Sequence, residues 1–282
     1  MKLSIFTQHI WDMARSRGWT KDQAMDHVTG LGISGVEITY TEFQQTPKED
    51  YKAMLERHGL NTVCIHRLVP LASNDEEIFQ KALADCRSLI DDASYMGAPN
   101  VLIVASDGSD IAGKADKERA KERIIHGLRE LVSYGMPLGI HVTLENFSVP
   151  HYPFSYIDDL ESIYQAVPGL GYTLDAGNFT CVGEDVLEAY QRLKPYMVHF
   201  HVKEWAYTDN PAGIHCTDGK LVNGVAYGTG VVPLRELIRQ IRADGRYTGA
   251  IVLEHNAVFD FSADDIDRSA AFLRDQLRDQ LR

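Results

Sequence analysis

The chain alternates short, continuous runs of apolar residues with longer segments in which apolar residues recur every three or four positions. Short runs of this kind are typical of strands buried on both faces of a parallel sheet, and the longer segments are typical of amphipathic helices. Each predicted strand is followed by a predicted helix. The eight strands are predicted at residues 3–6, 35–38, 61–65, 101–104, 139–144, 171–174, 197–200 and 249–253.

Capping and stop signals predict where several helices begin and end. Thr20 is a predicted N-cap, and Pro47 stands where the helix after the second strand would begin. Residue 74 or 75 opens a long helix that Gly97 ends. The last helix is predicted over residues 263 to about 281.

Eight strand-then-helix units in unbroken alternation predict an α/β fold, a single (β/α)8 TIM barrel formed as one domain by residues 1–282. The competing arrangement is an open doubly wound sheet. Against that alternative, the first strand is not followed by a G-x-G-x-x-G turn.

One connection is longer than the others. Residues 205–231 separate the seventh strand from its helix, and their glycines and proline favour turns over helix. We expect this segment to cover the barrel mouth as a lid or to form a subunit contact.

The composition excludes some classes of function. A formal net charge of −12 argues against a strong non-specific nucleic-acid binder. The four cysteines have no C-x-x-C pair and no zinc-finger spacing. They are expected to be reduced thiols in a cytoplasmic protein. The first apolar run is too short for a signal peptide, and no segment reaches membrane-spanning length without charges. We therefore expect no nucleic-acid and no membrane partner.

Four of the predicted strands carry a metal-competent residue at the carboxyl end: Glu145, Asp175, His201 and Glu254. In a parallel barrel these ends converge on one face. The ligand types suit one divalent ion, with Mn²⁺ expected and Mg²⁺, Co²⁺, Fe²⁺ or Zn²⁺ as alternatives. The competing interpretation is four unrelated polar strand ends. Three carboxylates packed together without a cation would cost several kcal/mol.

The segments around these residues resemble the sugar phosphate isomerase/epimerase superfamily, whose members are also called xylose isomerase-like TIM barrels. The resemblance rests on residues 144–146, 174–178, 199–203, 228–234 and 253–255. It implies that Glu145, Asp175, His201 and Glu254 hold the metal. It also implies that Glu145 and Glu254 act as the catalytic acid/base pair, as in the ketose 3-epimerases.

This reading predicts a divalent-metal-dependent sugar isomerase/epimerase that abstracts a proton next to a carbonyl and forms an enediolate. Returning the proton to the opposite face gives an epimer, and returning it to the other carbon gives an isomer. Expelling a neighbouring oxygen instead would make the chain a lyase, such as an inosose-type dehydratase or a 3-keto-glycoside-cleaving enzyme. The substrate is expected to be a small sugar, keto-sugar or polyol. Whether the chain forms a homo-oligomer is left open.

Two further functions are disfavoured. An endonuclease of the endonuclease IV type would need a trinuclear site with more histidines, and the acidic charge argues against it. A non-catalytic sugar-binding barrel would not need both Glu145 and Glu254.

The sequence departs from the epimerase pattern at two positions. Asn178 and Tyr207 stand where the epimerases have a histidine and an arginine. His151 stands where they have a second glutamate. The differences at Asn178 and Tyr207 favour the lyase to some extent.

The candidate substrate-binding residues are His66, Asn178, Lys203, His151, Glu37 and Trp205. Most of them have a structural alternative, which for His151 is a histidine in a surface loop. For His66 it is a satisfied core histidine, for Lys203 a solvated side chain, and for Glu37 a salt bridge. His9, Trp11 and Phe147 are expected in loops at the mouth, where they would stack on a sugar or simply cover the end of the barrel.

Overall fold

Eight parallel strands close into a barrel in a computed structural model that describes residues 1–106, 108–109 and 111–278. The last barrel strand, Ala250–Leu253, pairs with both Met197–Val202 and Lys2–Phe6, which closes the barrel. The predicted (β/α)8 barrel is confirmed. Its strands are β1 (Lys2–Phe6), β2 (Gly35–Thr39), β3 (Asn61–Leu68), β4 (Asn100–Val104), β5 (His141–Glu145), β6 (Gly171–Asp175), β7 (Met197–Val202) and β11 (Ala250–Leu253).

Helices connect the strands around the outside of the barrel. They are α1 (Thr7–Arg17), α2 (Lys21–Gly30), α3 (Tyr40–Phe43), α4 (Lys48–Arg57), α5 (Glu76–Met96), α6 (Lys114–Gly135), α7 (Ile157–Ala166), α8 (Asn178–Val182), α9 (Val186–Leu193), α10 (Leu234–Asp244) and α11 (Ala263–Arg278), with one 3₁₀ turn at Met136–Leu138. The part of the final helix predicted beyond residue 278 lies outside the described residues.

The predicted caps have direct counterparts in the structure. The Thr20 hydroxyl accepts a hydrogen bond from the Gln23 amide, and the Gln23 side chain accepts one from the Thr20 amide, forming a capping box. Asp75 caps α5 by accepting from two backbone amides. Gly97 ends the same helix at φ +71°, a conformation that favours glycine.

The prediction of a loop after the first strand is wrong. His9 and Trp11 lie on α1, which begins directly after β1 without a side-chain cap. Its apolar face, including Ile10, Met13 and Ala14, is buried against the barrel. Tertiary packing therefore stabilises a helix for which the sequence carries no start signal.

The long segment after β7 folds into a small antiparallel sheet of β8 (Trp205–Thr208), β10 (Leu221–Gly224) and β9 (Ile214–His215). Gly224 lies against the loop that follows β11. A Cβ atom at Gly224 would approach the Asn256 backbone to 2.5 Å, so only glycine fits there. This contact fixes the small sheet beside the barrel mouth.

The interior of the barrel below the mouth is polar. Glu37 on β2 contacts His199 on β7, although these strands are not neighbours, so the contact crosses the interior. Thr143 and Thr173 on β5 and β6 bond to each other through their hydroxyl groups. All four residues are fully buried. Among the described residues, no helix is long and apolar enough to cross a bilayer.

Candidate active site

Four side chains with metal-ligand chemistry meet at the carboxyl ends of four adjacent barrel strands. Glu145 and Asp175 end β5 and β6, His201 lies one residue before the end of β7, and Glu254 follows β11. The side chains of the first three are at most 8% exposed, whereas the Glu254 side chain keeps 19% of its surface exposed. Glu254 is therefore the member of this group nearest to solvent.

His201 stands between two of the carboxylates. Its Nδ1 atom lies 3.5 Å from Oε2 of Glu145 and 3.3 Å from Oε2 of Glu254. Glu145, Asp175 and His201 each offer one ligand atom, and these three atoms lie within 4.8 Å of one another. Atoms that share one ion sit ~2.0–2.6 Å from it, so this group is close to the size of a metal centre.

The hydrogen bonding of the group fits a bound cation. Within the described part of the chain, Nδ1 of His201 and Oε2 of Glu254 are buried and have no hydrogen-bond partner. An unsatisfied buried polar atom costs about 1–3 kcal/mol, so this arrangement is unfavourable until another group completes it. Two glutamates, one aspartate and one imidazole nitrogen suit a hard divalent ion. The residues present therefore fit the ion expected from the sequence.

Lys203 supplies the local positive charge. Its Nζ atom lies 2.9 Å from Oδ2 of Asp175 and 2.8 Å from Oε1 of Glu254, and it donates to Asn178 Oδ1 at 3.1 Å. Burial alone would lower the pKa of Lys203, but the two carboxylates raise it above its usual range. Three carboxylates, one lysine and one divalent ion would balance in charge, so Lys203 and a metal are compatible.

The two carboxyl groups that contact Lys203, those of Asp175 and Glu254, differ in the direction of their pKa shifts. Burial would raise the pKa of Glu254, but Lys203 and His201 hold it well below its usual range. Burial raises the pKa of Asp175, because the Lys203 ammonium offsets only part of the desolvation of that carboxylate. Glu254 is thus held as a carboxylate.

Glu37 orients three histidines from below the ligand group. It is fully buried, and its Oε2 atom lies 2.7 Å from Nε2 of His199 and 2.8 Å from Nε2 of His201. Its Oε1 atom lies 2.9 Å from Nδ1 of His66. Burial would raise the pKa of Glu37, but His201 and His199 hold it well below its usual range. Because Glu37 holds Nε2 of His201, Nδ1 is the nitrogen that faces Glu145 and Glu254.

Asn146 and Asn178 lock the strand ends together. The Asn146 side chain accepts from the Asp175 amide at 2.9 Å and donates to the Asp175 carbonyl at 3.0 Å. Asn178 donates to the Asn146 carbonyl at 2.9 Å and is 2% exposed. Asn178 therefore reaches the site through Lys203, which it holds in place.

Two cavities open at the mouth beside this group. The first cavity has a volume of about 310 Å³, and Glu145, His201, Glu254, Phe147 and Arg67 are among its lining residues. The second cavity has a volume of about 470 Å³ and is lined by residues of α1 and of the loop after β11. Phe6, His66 and Glu254 line both. His66 thus lies at the boundary between the cavities, where Thr39 Oγ1 is 3.0 Å from its Nε2 atom.

The remaining candidates make contacts outside the ligand group. Trp205 is fully buried, and its indole donates to the Gly177 carbonyl at 2.9 Å. His151 is exposed and packs edge-on against the Tyr152 ring. Tyr207, on β8, is 51% exposed, and Lys220 stands over its ring.

Sequence reasoning missed a further buried glutamate, Glu204. Its carboxylate accepts from the Gly228 amide at 3.1 Å and from the Val232 amide at 2.9 Å. It therefore holds the glycine-rich turn before α10 against the end of β7. Two signals were available in the sequence: Glu204 directly follows Lys203, and a glycine-rich turn lies downstream. The contact between Glu204 and that turn, however, forms only in the tertiary structure.

Comparison with known proteins gives the chain a family context. A family model described as a xylose isomerase-like TIM barrel matches residues 25–276. A curated 3-dehydroshikimate dehydratase from Bacillus anthracis is 21% identical over 243 residues, which cover 80% of this chain and 83% of that protein.

Two solved structures are similar over nearly the whole chain. The D-psicose 3-epimerase of Clostridium cellulolyticum H10, solved with D-tagatose, has a TM-score of 0.76 at 16% identity and covers 98% of both chains. A xylose isomerase-like TIM barrel protein from Mycobacterium smegmatis, solved with magnesium, has a TM-score of 0.70 at 22% identity. That match covers 91% of this chain and 87% of the other.

Proposed function

The chain belongs to the xylose isomerase-like TIM barrel family, and from this premise we propose that it is a divalent-metal-dependent carbohydrate isomerase or epimerase. Its substrate would be a sugar, keto-sugar or polyol-derived ketone. The observation that carries the proposal is the meeting of Glu145, Asp175, His201 and Glu254, with buried His201 Nδ1 and Glu254 Oε2 left without hydrogen bonds in the described chain.

Glu145, Asp175, His201 and Glu254 would hold the ion. A divalent ion bound there would polarise a substrate carbonyl and its neighbouring hydroxyl, which acidifies the intervening C–H bond. Glu37 would contribute by keeping Nδ1 of His201 directed at the ion, as outer carboxylates do for metal-bound histidines.

Glu145 and Glu254 are the proposed acid/base pair. Both line the first cavity, so a substrate there would contact both side chains. One carboxylate would remove the proton from carbon, and the other would return a proton to the resulting enediolate. Lys203 would favour the carboxylate form of Glu254, because its ammonium lies 2.8 Å from Oε1.

A lyase is the second candidate, with a specific observation in its favour. The curated relative from Bacillus anthracis is a dehydratase. The chain also lacks the histidine and the arginine expected of an epimerase, and has Asn178 and Tyr207 in their places. A lyase would begin with the same proton removal and would then expel a β-oxygen substituent.

Proton–deuterium exchange monitored by NMR tests the shared first step. Enzyme loaded with Mn²⁺ or Mg²⁺ would be incubated in D₂O with ketoses, keto-inositols and 3-keto-glycosides. We expect deuterium to enter the carbon next to the carbonyl of at least one class. New diastereomers would identify an epimerase, and an unsaturated product would identify a lyase. Absence of exchange across all three classes with fully metal-loaded protein would contradict the proposal.

A further inference from the structure

The second cavity extends away from the metal-ligand group. It is larger than the first cavity, about 470 Å³ against 310 Å³, and both are open to solvent. Of the four ligand residues, Glu254 lines both cavities, whereas Glu145 and His201 line the first. A molecule that reacts between Glu145 and Glu254 therefore fills the first cavity and, if it is long enough, passes Glu254 into the second.

Polar side chains with planar end groups line the second cavity. Gln8, Asp12 and Arg15 project from α1, and Asn256 projects from the loop after β11. Amide and carboxylate groups of this kind donate and accept hydrogen bonds in fixed planes, which suits vicinal hydroxyl groups. Phe261 adds an aromatic ring to the same wall.

The charge of this wall favours a neutral ligand over an anion. Arg15 is paired with Asp12 in the same wall. Because that carboxylate faces the cavity, an anionic ligand would meet both charges, and its attraction to Arg15 would be offset by repulsion from Asp12.

Two histidines in the wall have unused hydrogen-bonding capacity. His9 and His255 are 7% and 3% exposed and line the second cavity. The His9 Nε2 atom accepts from the His255 amide at 2.9 Å. Among the described residues, Nδ1 of His9 and both ring nitrogens of His255 have no hydrogen-bond partner; the nearest carboxylate oxygens, of Asp12 and Asp265, lie at 3.9 and 4.0 Å. These nitrogens have almost no exposed surface, so a ligand hydroxyl could bond to them only if a ring turned toward the cavity.

From these observations we infer that the second cavity is a subsite for a neutral, polyhydroxylated unit attached to the reacting sugar. The preferred substrate is then a glycoside with a keto-sugar in the first cavity and a second sugar unit in the second. The identity of the reacting keto-sugar rests on the proposed function. The existence of the subsite rests instead on the cavity wall formed by α1 and by residues 255–261.

Competing substrates test the inference in the Mg²⁺-loaded enzyme. The pair is a disaccharide that carries a 3-keto-glucosyl unit and the matching free 3-keto-glucose, with deuterium exchange as the readout. We expect kcat/KM to be at least about tenfold higher for the disaccharide, the value of one or two net hydrogen bonds. Equal values for the two ketones would overturn the inference.

Variants of the wall locate the effect. Asn256→Ala removes an amide from the second cavity, and Ala257→Trp fills part of it, since both residues line that cavity. Each is expected to lower the ratio of the two kcat/KM values to below about threefold. Ser16→Ala is the matched control, because Ser16 is an exposed residue next to Arg15 on α1 that is not part of either cavity lining. A ratio that neither wall variant changes would overturn the inference.

A binding measurement separates this inference from the proposed function. Saturation-transfer NMR with unreactive maltose and D-glucose reports contact with the protein whether or not enolisation occurs. We expect maltose to bind more tightly than glucose, with transfer to both of its units, and transfer to one unit to be lost in Ala257→Trp. If no ketone exchanges deuterium while this pattern is seen, the proposed reaction fails and the subsite is retained. If maltose binds no better than glucose, the subsite is rejected whatever the exchange results are.

Discussion

At the scale of single residues, the environment of each glutamate decides its part in the site. Glu37 is enclosed by His66, His199 and His201 and is fully buried. Glu145 and Glu254 line a cavity. Glu37 would therefore act as a positioning residue, whereas Glu145 and Glu254 would contact substrate, because these two line the cavity.

The two cavity glutamates are expected to be non-equivalent in mutation. Glu145→Gln and Glu254→Gln keep the side-chain shape and one ligand oxygen but remove the base, so turnover should fall by ~10²–10⁴. In an epimerase, each variant should still exchange deuterium into one epimer, and the two variants into opposite epimers. In a lyase, one variant should lose exchange, while the other should exchange without expelling the leaving group. Near wild-type rates in both variants would show that these residues only hold the metal.

Glu37 is expected to act through His201. Glu37→Gln should weaken metal affinity by about 10–100-fold, the usual effect of removing an outer partner of a metal-bound histidine. Titration with Mn²⁺ followed by electron paramagnetic resonance measures this affinity directly. His201→Ala, which removes a proposed ligand, is the reference and should abolish high-affinity binding while the circular dichroism of the barrel is retained. Full metal occupancy in His201→Ala would contradict the ligand assignment.

At the scale of elements, one histidine joins two helices on the barrel exterior. His58, which follows α4, lies 2.9 Å from Asp22 and 2.7 Å from Asp26 of α2 through its two ring nitrogens. Burial would lower the pKa of His58, but these two carboxylates raise it. The protonated imidazole therefore stabilises the contact between α2 and α4.

The stabilisation by His58 should depend on pH. A raised folded-state pKa gives stability that is fully present below the unfolded pKa of about 6.5 and is lost as pH rises through the folded value. His58→Asn should therefore lower the free energy of unfolding by about 0.5–1 kcal/mol at pH 5.5 and by less at pH 9. Urea unfolding at both pH values measures the difference. His215→Asn, at an exposed position of β9, is the control substitution at both pH values.

At the scale of the whole molecule, the metal should hold four adjacent strands of the barrel together. The ligands come from β5, β6, β7 and β11, so an ion would bind the folded chain and not the unfolded one. At 100 times its dissociation constant, such a ligand adds about 2.7 kcal/mol to stability.

Metal removal should therefore lower the melting temperature. Differential scanning calorimetry after treatment with EDTA should show a decrease of several degrees that added Mn²⁺ reverses. The His201→Ala protein should melt at the same temperature with and without Mn²⁺. An equal response of the two proteins would show that the stabilising ion binds elsewhere.

The sequence by itself determined the architecture and the four proposed ligands. Continuous apolar runs predicted eight buried strands, because a sheet covered on both faces needs apolar side chains on both sides. Glu145, Asp175, His201 and Glu254 could be selected since each stands at the carboxyl end of such a run, and parallel strands bring these ends together.

Only the tertiary structure decided which residues surround that group. The start of α1 depends on burial against the barrel, so a local pattern could not place His9 and Trp11 on a helix. The contacts of Glu37 with His199 and His201 span more than 160 positions in the chain. The second cavity likewise joins α1 to the segment after β11, at opposite ends of the sequence. Local patterns determine strands and helices, whereas such long-range contacts depend on how the barrel closes.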